Sequence, residues 1–187
     1  MDFLTIFLAI SLAIGLSAAC GFRVFIPPLM CGLFYKAELL DLADSWYWLG
    51  NDFVIYILGI ATICEILAVF IPFIDNFLDL IATPSSIVAG ILLSSSCLEG
   101  FDPGLQWILS LTFGIGITGS IQITTVSVRG LSSVMTGGLG NSVIAVLEDI
   151  SAVTITLTAL LFPVVGLLLT LAIVLSLRHL IRKFTLC

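Results

Sequence analysis

The sequence predicts an all-α polytopic membrane protein with about six transmembrane helices, arranged as two three-helix inverted repeats with broken or re-entrant segments. The first observation is composition: 60% of the 187 residues are hydrophobic and only 10% are charged, whereas a typical soluble domain is about 25% charged. The second is the mean hydropathy, which reaches +1.28. The third is length, because about 20 apolar residues span a bilayer core and six such segments can be drawn. We therefore expect a single transmembrane domain over residues 1–187.

The inverted-repeat prediction begins from two arginines in apolar surroundings. Arg23 and Arg129 each precede a Gly-Leu pair, which follows nine and ten residues after the arginine. An odd number of helices in each half inserts the second half upside down relative to the first, a design common in secondary transporters. The expected repeats cover about 1–98 and about 104–187.

The first predicted helix runs from about Phe3 to Ala19. The stretch 21–35 that follows holds Pro27 and Pro28, which cannot occupy a regular helix interior. We expect this stretch to be re-entrant or unwound, since a membrane tolerates such backbone only where it is buried in protein or lines a cavity. The linker 37–49 is amphipathic and rich in aromatic residues, so it is expected to lie on the membrane surface.

Five further helices are predicted from the remaining apolar runs. They cover about Phe53–Phe73, Asn76–Cys97, Leu105–Val126, Asn141–Phe162 and Val164–Arg182. The last two are separated at Pro163, because one kinked helix of about 40 residues would be roughly 60 Å long, twice the thickness of the bilayer core. The polar, glycine-rich stretch from Arg129 to Asn141 is predicted to be a loop.

The charge distribution predicts the orientation. Basic residues follow the last apolar run and favour the cytoplasmic side; they are Arg178, His179, Arg182 and Lys183. Six spans then place both termini in the cytoplasm and the acidic segment from Lys36 to Asp52 outside. We expect a multi-pass protein of a bacterial inner membrane. The basic tail suits contact with lipid headgroups and gives no support to nucleic-acid binding.

Charged side chains at membrane depth are costly, so they usually mark a functional site. The candidate residues for substrate or ion binding are Arg23, Glu65, Asp75, Asp79, Arg129, Asn141, Glu148 and Asp149. Two of them, Asp75 and Asp79, are four residues apart and share one face at the start of a helix, where the dipole favours carboxylates. Serines and threonines supply further polar lining or helix packing.

Two mechanisms are compatible with this set. In the first, Arg23 and Arg129 meet and bind an anion or a carboxylate with the help of free backbone amides. In the second, Glu65, Glu148 and Asp149 bind a cation or carry protons, with the arginines adjusting their acidity. The structural alternative is a set of buried salt bridges that holds the helices together.

Enzymatic activity, metals and cofactors are not expected. The chain has no HExxH and no GxSxG sequence, and its one histidine lies in the basic tail. The five cysteines form no CxxC pair, so they suit apolar packing better than metal or redox chemistry. The expected partners are the lipid bilayer and a small anion or cation. Because 187 residues are few for a complete pathway, a homodimer is also expected.

Three stretches of the chain resemble a family of bacterial and plastid membrane proteins known as domain of unknown function 4126. They are Glu65 to Thr83 continuing to Ala89-Gly90, Gly15 to Leu33 with its Gly-Phe-Arg and prolines, and Gly140-Asn141 followed by Glu148-Asp149 and Pro163. The resemblance covers most of the chain. It implies a polytopic membrane protein and brings no established activity with it.

From the residues we expect a channel or transporter for a small solute or ion, with a charged site at the interface of the two repeats. The competing class is a structural, assembly or lipid-organising membrane protein. A cavity that reaches Arg23 or Glu65 would favour transport, whereas a dry and fully paired charge cluster would favour the structural class.

Overall fold

The computed structural model of the protein describes residues 2–40, 44–68 and 72–185, without the side chains of residues 44–45, 72–79 and 177–185. Within these ranges the chain is helical and contains no β-strand. The helices are α1 Phe3–Phe22, α2 Ile26–Lys36, α3 Asp52–Ala68, α4 Pro72–Cys97, α5 Pro103–Leu111, α6 Gly119–Thr136, α7 Asn141–Leu161 and α8 Pro163–Thr185. A 3₁₀ turn covers Asp44–Gly50, and a π-helical segment, Thr112–Thr118, joins α5 to α6.

Helix α1 lies at the centre and packs against α4, α7, α8 and the π segment. Its C-terminal half is buried and rich in small residues. A Cβ added at Gly15 would lie 2.7 Å from the Cβ of Ala159 in α7, so the two helices approach each other closely. Small residues permit such an approach, and close packing of this kind drives helix association in membranes.

Side-chain hydrogen bonds join α1 to two other elements at one level. The Ser17 hydroxyl donates to the carbonyl oxygen of Gly90 in α4 at 3.2 Å. The Thr118 hydroxyl in the π segment donates to the Ser17 carbonyl oxygen at 2.6 Å. All three residues are buried. These hydrogen bonds therefore fix α1, α4 and the π segment relative to one another near the C-terminal end of α1.

The predicted break after the first helix is present, but it is short. Arg23 is extended (φ −143°, ψ 132°), and its N–H still donates to the Ala19 carbonyl oxygen at 3.1 Å. Arg23, Val24 and Phe25 form the whole break, because α2 begins at Ile26. The rest of the stretch is regular helix up to Lys36, so the unwound alternative is wrong there.

The two prolines explain why the break ends so soon. Pro27 and Pro28 both lie in the first turn of α2 rather than in its interior. Proline is tolerated there because the first N–H groups of a helix have no partner within it. The prolines therefore start a helix instead of preventing one.

The predicted loop from Arg129 to Asn141 is wrong over its first eight residues. Helix α6 continues to Thr136, and the turn occupies only 137–140, with positive φ at Gly137 (62°) and Gly138 (92°). The polar residues fit a helix because their hydroxyls bond the preceding turn, as Thr136 does to the Ser132 carbonyl oxygen at 2.8 Å. Such bonding satisfies serine and threonine inside a helix.

The linker that was expected on the membrane surface packs partly into the protein. In the 3₁₀ turn, Trp46 and Leu49 are buried in a core with Leu16 of α1, while Trp48 is about half exposed. Residues 41–43 of this linker lie outside the described part of the chain. The aromatic cluster therefore contributes to the core as well as to the surface.

Four helices in the described ranges are long and apolar enough to cross a membrane. They are Phe3–Phe22, Leu80–Cys97, the continuous stretch Pro103–Thr136, and Asn141–Leu161. The predicted division at Pro163 is confirmed, because α7 ends at Leu161 and α8 begins at Pro163. An all-helical fold with several long apolar helices is that of a membrane-embedded protein.

Candidate functional site

Arg23 enters the protein interior because α1 ends just before it. Its side chain is 3% exposed, and its Nε lies 2.6 Å from Asp149 Oδ1. Its Nη2 lies 3.8 Å from Glu148 Oε2 and donates to the Ala145 carbonyl oxygen at 3.2 Å. Glu148 and Asp149 follow Ala145 by three and four positions, so all three lie on one side of α7. The break after α1 thus directs a guanidinium at that side.

Arg129 approaches the same side of α7 from α6. Its Nε lies 3.4 Å from Glu148 Oε1, and the two side chains are 6% and 4% exposed. Glu148 therefore lies between the two arginines. We call the group of Arg23, Arg129, Glu148 and Asp149 the buried charge network. Its two positive and two negative formal charges balance.

Glu65 lies beside the network but is held by other groups. Its carboxylate accepts the N–H of Val24 at 2.9 Å and the N–H of Phe25 at 3.2 Å. These amides lie in the break ahead of α2, where the helix dipole favours a negative charge. Glu65 is therefore bound directly by backbone amides, whereas Glu148 and Asp149 lie within 4 Å of guanidinium nitrogens.

The remaining candidates lie at the edge of the network or outside the described side chains. Asn141 donates from Nδ2 to Ser133 Oγ at 2.8 Å, and the Ser133 hydroxyl donates to the Arg129 carbonyl oxygen at 3.0 Å. Asn141 thereby ties the start of α7 to α6 close to Arg129. Asp75 and Asp79 lie in the first two turns of α4, as predicted, but their side chains are not among those described.

Two neighbouring cavities lie beside the break between α1 and α2. The first, of about 260 Å³, is lined by Arg23, Glu65 and Arg129. The second, of about 400 Å³, extends towards the tryptophans of the 3₁₀ turn. Val24 and Phe25 line both of these cavities. The break therefore forms a wall that the two cavities share.

A third cavity also borders Arg129. Its volume is about 460 Å³, and its lining includes Arg129, Ser133 and Asn141. Arg129 lines the first cavity as well. Pro84 lines both the second and the third cavity, so each of the three cavities shares lining residues with the other two.

One buried polar residue of the site was missed in the sequence. Gln122 is 2% exposed and lines the first cavity together with Arg129. It lies seven residues before Arg129, which is two helical turns and therefore the same helix face. Extending the predicted helix past Val126 would have brought the two residues into one pattern.

The fold and the site together define a class, that of membrane-embedded helical proteins with a buried network of charges beside a cavity. The chain belongs to the family described as Domain of unknown function (DUF4126), whose model matches residues 10–183. The resemblance noted in the sequence is therefore confirmed. No curated protein and no solved structure matches the chain.

Proposed function

We propose that this protein passes a small solute or ion across a membrane, as a channel or transporter, through the cavities that border the buried charge network. The observation that carries the proposal is the cavity that Arg23, Glu65 and Arg129 line together. Ion pairs that only hold helices together need no such space beside them. Ionisable groups in a membrane that face a cavity are typical of substrate and ion pathways.

The break between α1 and α2 supports the same function. Non-helical backbone at membrane depth is tolerated where it is buried in protein or lines a cavity. Val24 and Phe25 line two cavities at once. Discontinuous helices of this kind form the binding sites of many transporters, where backbone groups near the helix ends face the substrate.

Six spans, two inverted halves, cytoplasmic termini and a bacterial inner membrane belong to this proposal. Helices α3 and α8 would supply the fifth and sixth spans. In support, Phe53, Ile57 and Ile60 of α3 are exposed apolar residues suited to lipid, and the segment Pro163–Ser176 of α8 is apolar. A homodimer is part of the same proposal.

The charge balance of the network bears on the choice of substrate. Each arginine has a carboxylate within 4 Å, so an anion would have to compete with Glu148 and Asp149 for the guanidinium groups. A cation would be repelled by the two guanidinium groups beside the cavity. A solute that passes must therefore either exchange with these pairs or be neutral.

A flux assay tests the proposal. The purified protein is reconstituted into liposomes and screened with anions, cations, protons and neutral solutes. We expect one class to pass, and Arg23→Gln and Arg129→Gln to abolish that flux. The matched control is Lys36→Gln, which removes the same charge from an exposed pair. If no class passes, or if folded arginine variants conduct like the wild type, the structural alternative is favoured.

A further inference from the structure

Helix α3 is attached to α2 and its preceding break near both of its ends. At its start, Asp52 pairs with Lys36 at the end of α2. Near its other end, Glu65 accepts the two amides ahead of α2. Helices α2 and α3 therefore run side by side in opposite directions, with the connecting turn at one end and the Glu65 contact at the other.

Between these ends α3 is sparsely packed. Thr62 and Ala68 are its only buried residues, and the whole of α3 is within the described part of the chain. Its exposed apolar side chains suit lipid rather than a protein core. A helix with few buried contacts belongs to the low-stability part of a fold. The Glu65 hydrogen bonds are thus a main restraint on the C-terminal end of α3.

The Glu65 contact also lies at a boundary between cavities. The amides that it binds belong to Val24 and Phe25, two of the three residues that line both the first and the second cavity, with Ser85 of α4 as the third. Glu65 itself lines the first cavity. Any movement that separates α3 from the break would change the wall that the two cavities share.

We infer that Glu65 is the gate residue of the proposed pathway: its carboxylate holds α3 against the α1–α2 break and keeps the first and second cavities apart. This inference rests on the proposed function. Hydrogen bonds from amides to a carboxylate are charge-assisted and strong, so the closed arrangement is the stable one. Passage requires the carboxylate to leave Val24 and Phe25.

Cys64 provides a native reporter for this gate. It lines the first cavity and precedes Glu65 directly. Its exposed surface lies on a helix whose outer face suits lipid, so an aqueous reagent reaches it through the cavity. In the full-length protein in liposomes, its reaction with a membrane-impermeant thiol reagent is followed by peptide mass spectrometry. The decisive variant is Glu65→Asp, which keeps the charge beside Cys64 but is shorter by one methylene, about 1.5 Å, and cannot reach both amides.

We expect Glu65→Asp, which loses one hydrogen bond, to speed the labelling of Cys64 about tenfold or more, because a hydrogen bond to a charged group shifts the closed state by at least that factor. Glu65→Ala loses both bonds and should label faster still. The matched control is Thr62→Val, because the Thr62 hydroxyl bonds the Leu58 carbonyl oxygen of its own helix. That variant should label like the wild type.

Labelling of Glu65→Asp within about twofold of the wild type overturns the gate, since a lost hydrogen bond should produce more. If Glu65→Ala fails to fold, Glu65→Asp alone decides, because it keeps a carboxylate at the site. A flux measurement distinguishes the proposed function from the gate. If liposomes that contain the wild-type protein pass no solute, the proposed function is contradicted, whatever the labelling shows. Flux in the wild type with unchanged labelling in Glu65→Asp contradicts only the gate.

Discussion

Two ion pairs of this protein use similar groups in opposite surroundings. Lys36 and Asp52 pair at the surface, with side chains 53% and 67% exposed. Arg23 pairs with Asp149 and Glu148 in the interior, where the three side chains are 3%, 21% and 4% exposed. An exposed pair is worth about 0–1 kcal/mol, whereas removing one partner of a buried pair costs about 3–5 kcal/mol. Burial, more than the pairing itself, therefore decides how much stability is lost when one partner is removed.

The largest effect is expected from Arg23→Ala. The substitution leaves Asp149 without its close cation and takes one of two arginines from Glu148. We expect the free energy of unfolding to fall by about 3–5 kcal/mol, measured by thermal unfolding of the protein in detergent. A melting temperature equal to that of the wild type would show that the buried pair behaves like the exposed one.

A smaller and graded effect is expected within the network. Glu148 is buried and lies near both arginines, while Asp149 pairs with Arg23 and is partly exposed. Glu148→Gln should therefore destabilise the protein more than Asp149→Asn, by roughly 1 kcal/mol, since exposure weakens a charge contact. Denaturant titration of the two isosteric variants measures which of them loses more stability. A larger loss in Asp149→Asn would contradict the central place of Glu148.

The smallest effect is expected from Lys36→Ala. We expect a loss of at most about 1 kcal/mol, which should vanish near roughly 1 M salt because exposed charges are screened there. The cost of Arg23→Ala should persist in the same buffer. The free energy of unfolding of both variants is measured at low and high salt. If the loss caused by Arg23→Ala falls as salt is added, water reaches the network.

The sequence predicted which charged residues form the site better than it predicted their partners. Arg23 and Arg129 stand out because charges are rare in apolar segments. Glu148 was among the candidate residues, but its place between the two arginines could not be predicted, since periodicity reports on one helix and this contact joins three segments of the chain. Arg23 bonds a carbonyl 122 residues away, and only tertiary packing sets that distance.

The helix boundaries show the same limit. A break within 21–35 was predicted from the prolines, although it occupies only 23–25. The division at Pro163 was predicted from helix length. The continuation of α6 to Thr136 was not predicted, because serine, threonine and glycine are typical of loops in water. In this helix hydroxyls such as that of Ser133 bond the backbone of the preceding turn, which removes the need for a loop.

The π segment makes the site depend on the length of the chain as well as on its residues. The N–H of Gly119 donates to the Gly114 carbonyl oxygen, five residues back, where an α-helix would use four. Each residue of an α-helix turns the chain by about 100°. A π-helix turns the chain by less per residue than an α-helix, so Thr112–Thr118 holds an extra residue and still lets α6 continue on the same face. Deleting one residue from the regular winding of α6 between Gly119 and Arg129 has no such compensation. It would turn the Arg129 guanidinium by about 100° away from Glu148 and dismantle the network without altering any residue in it.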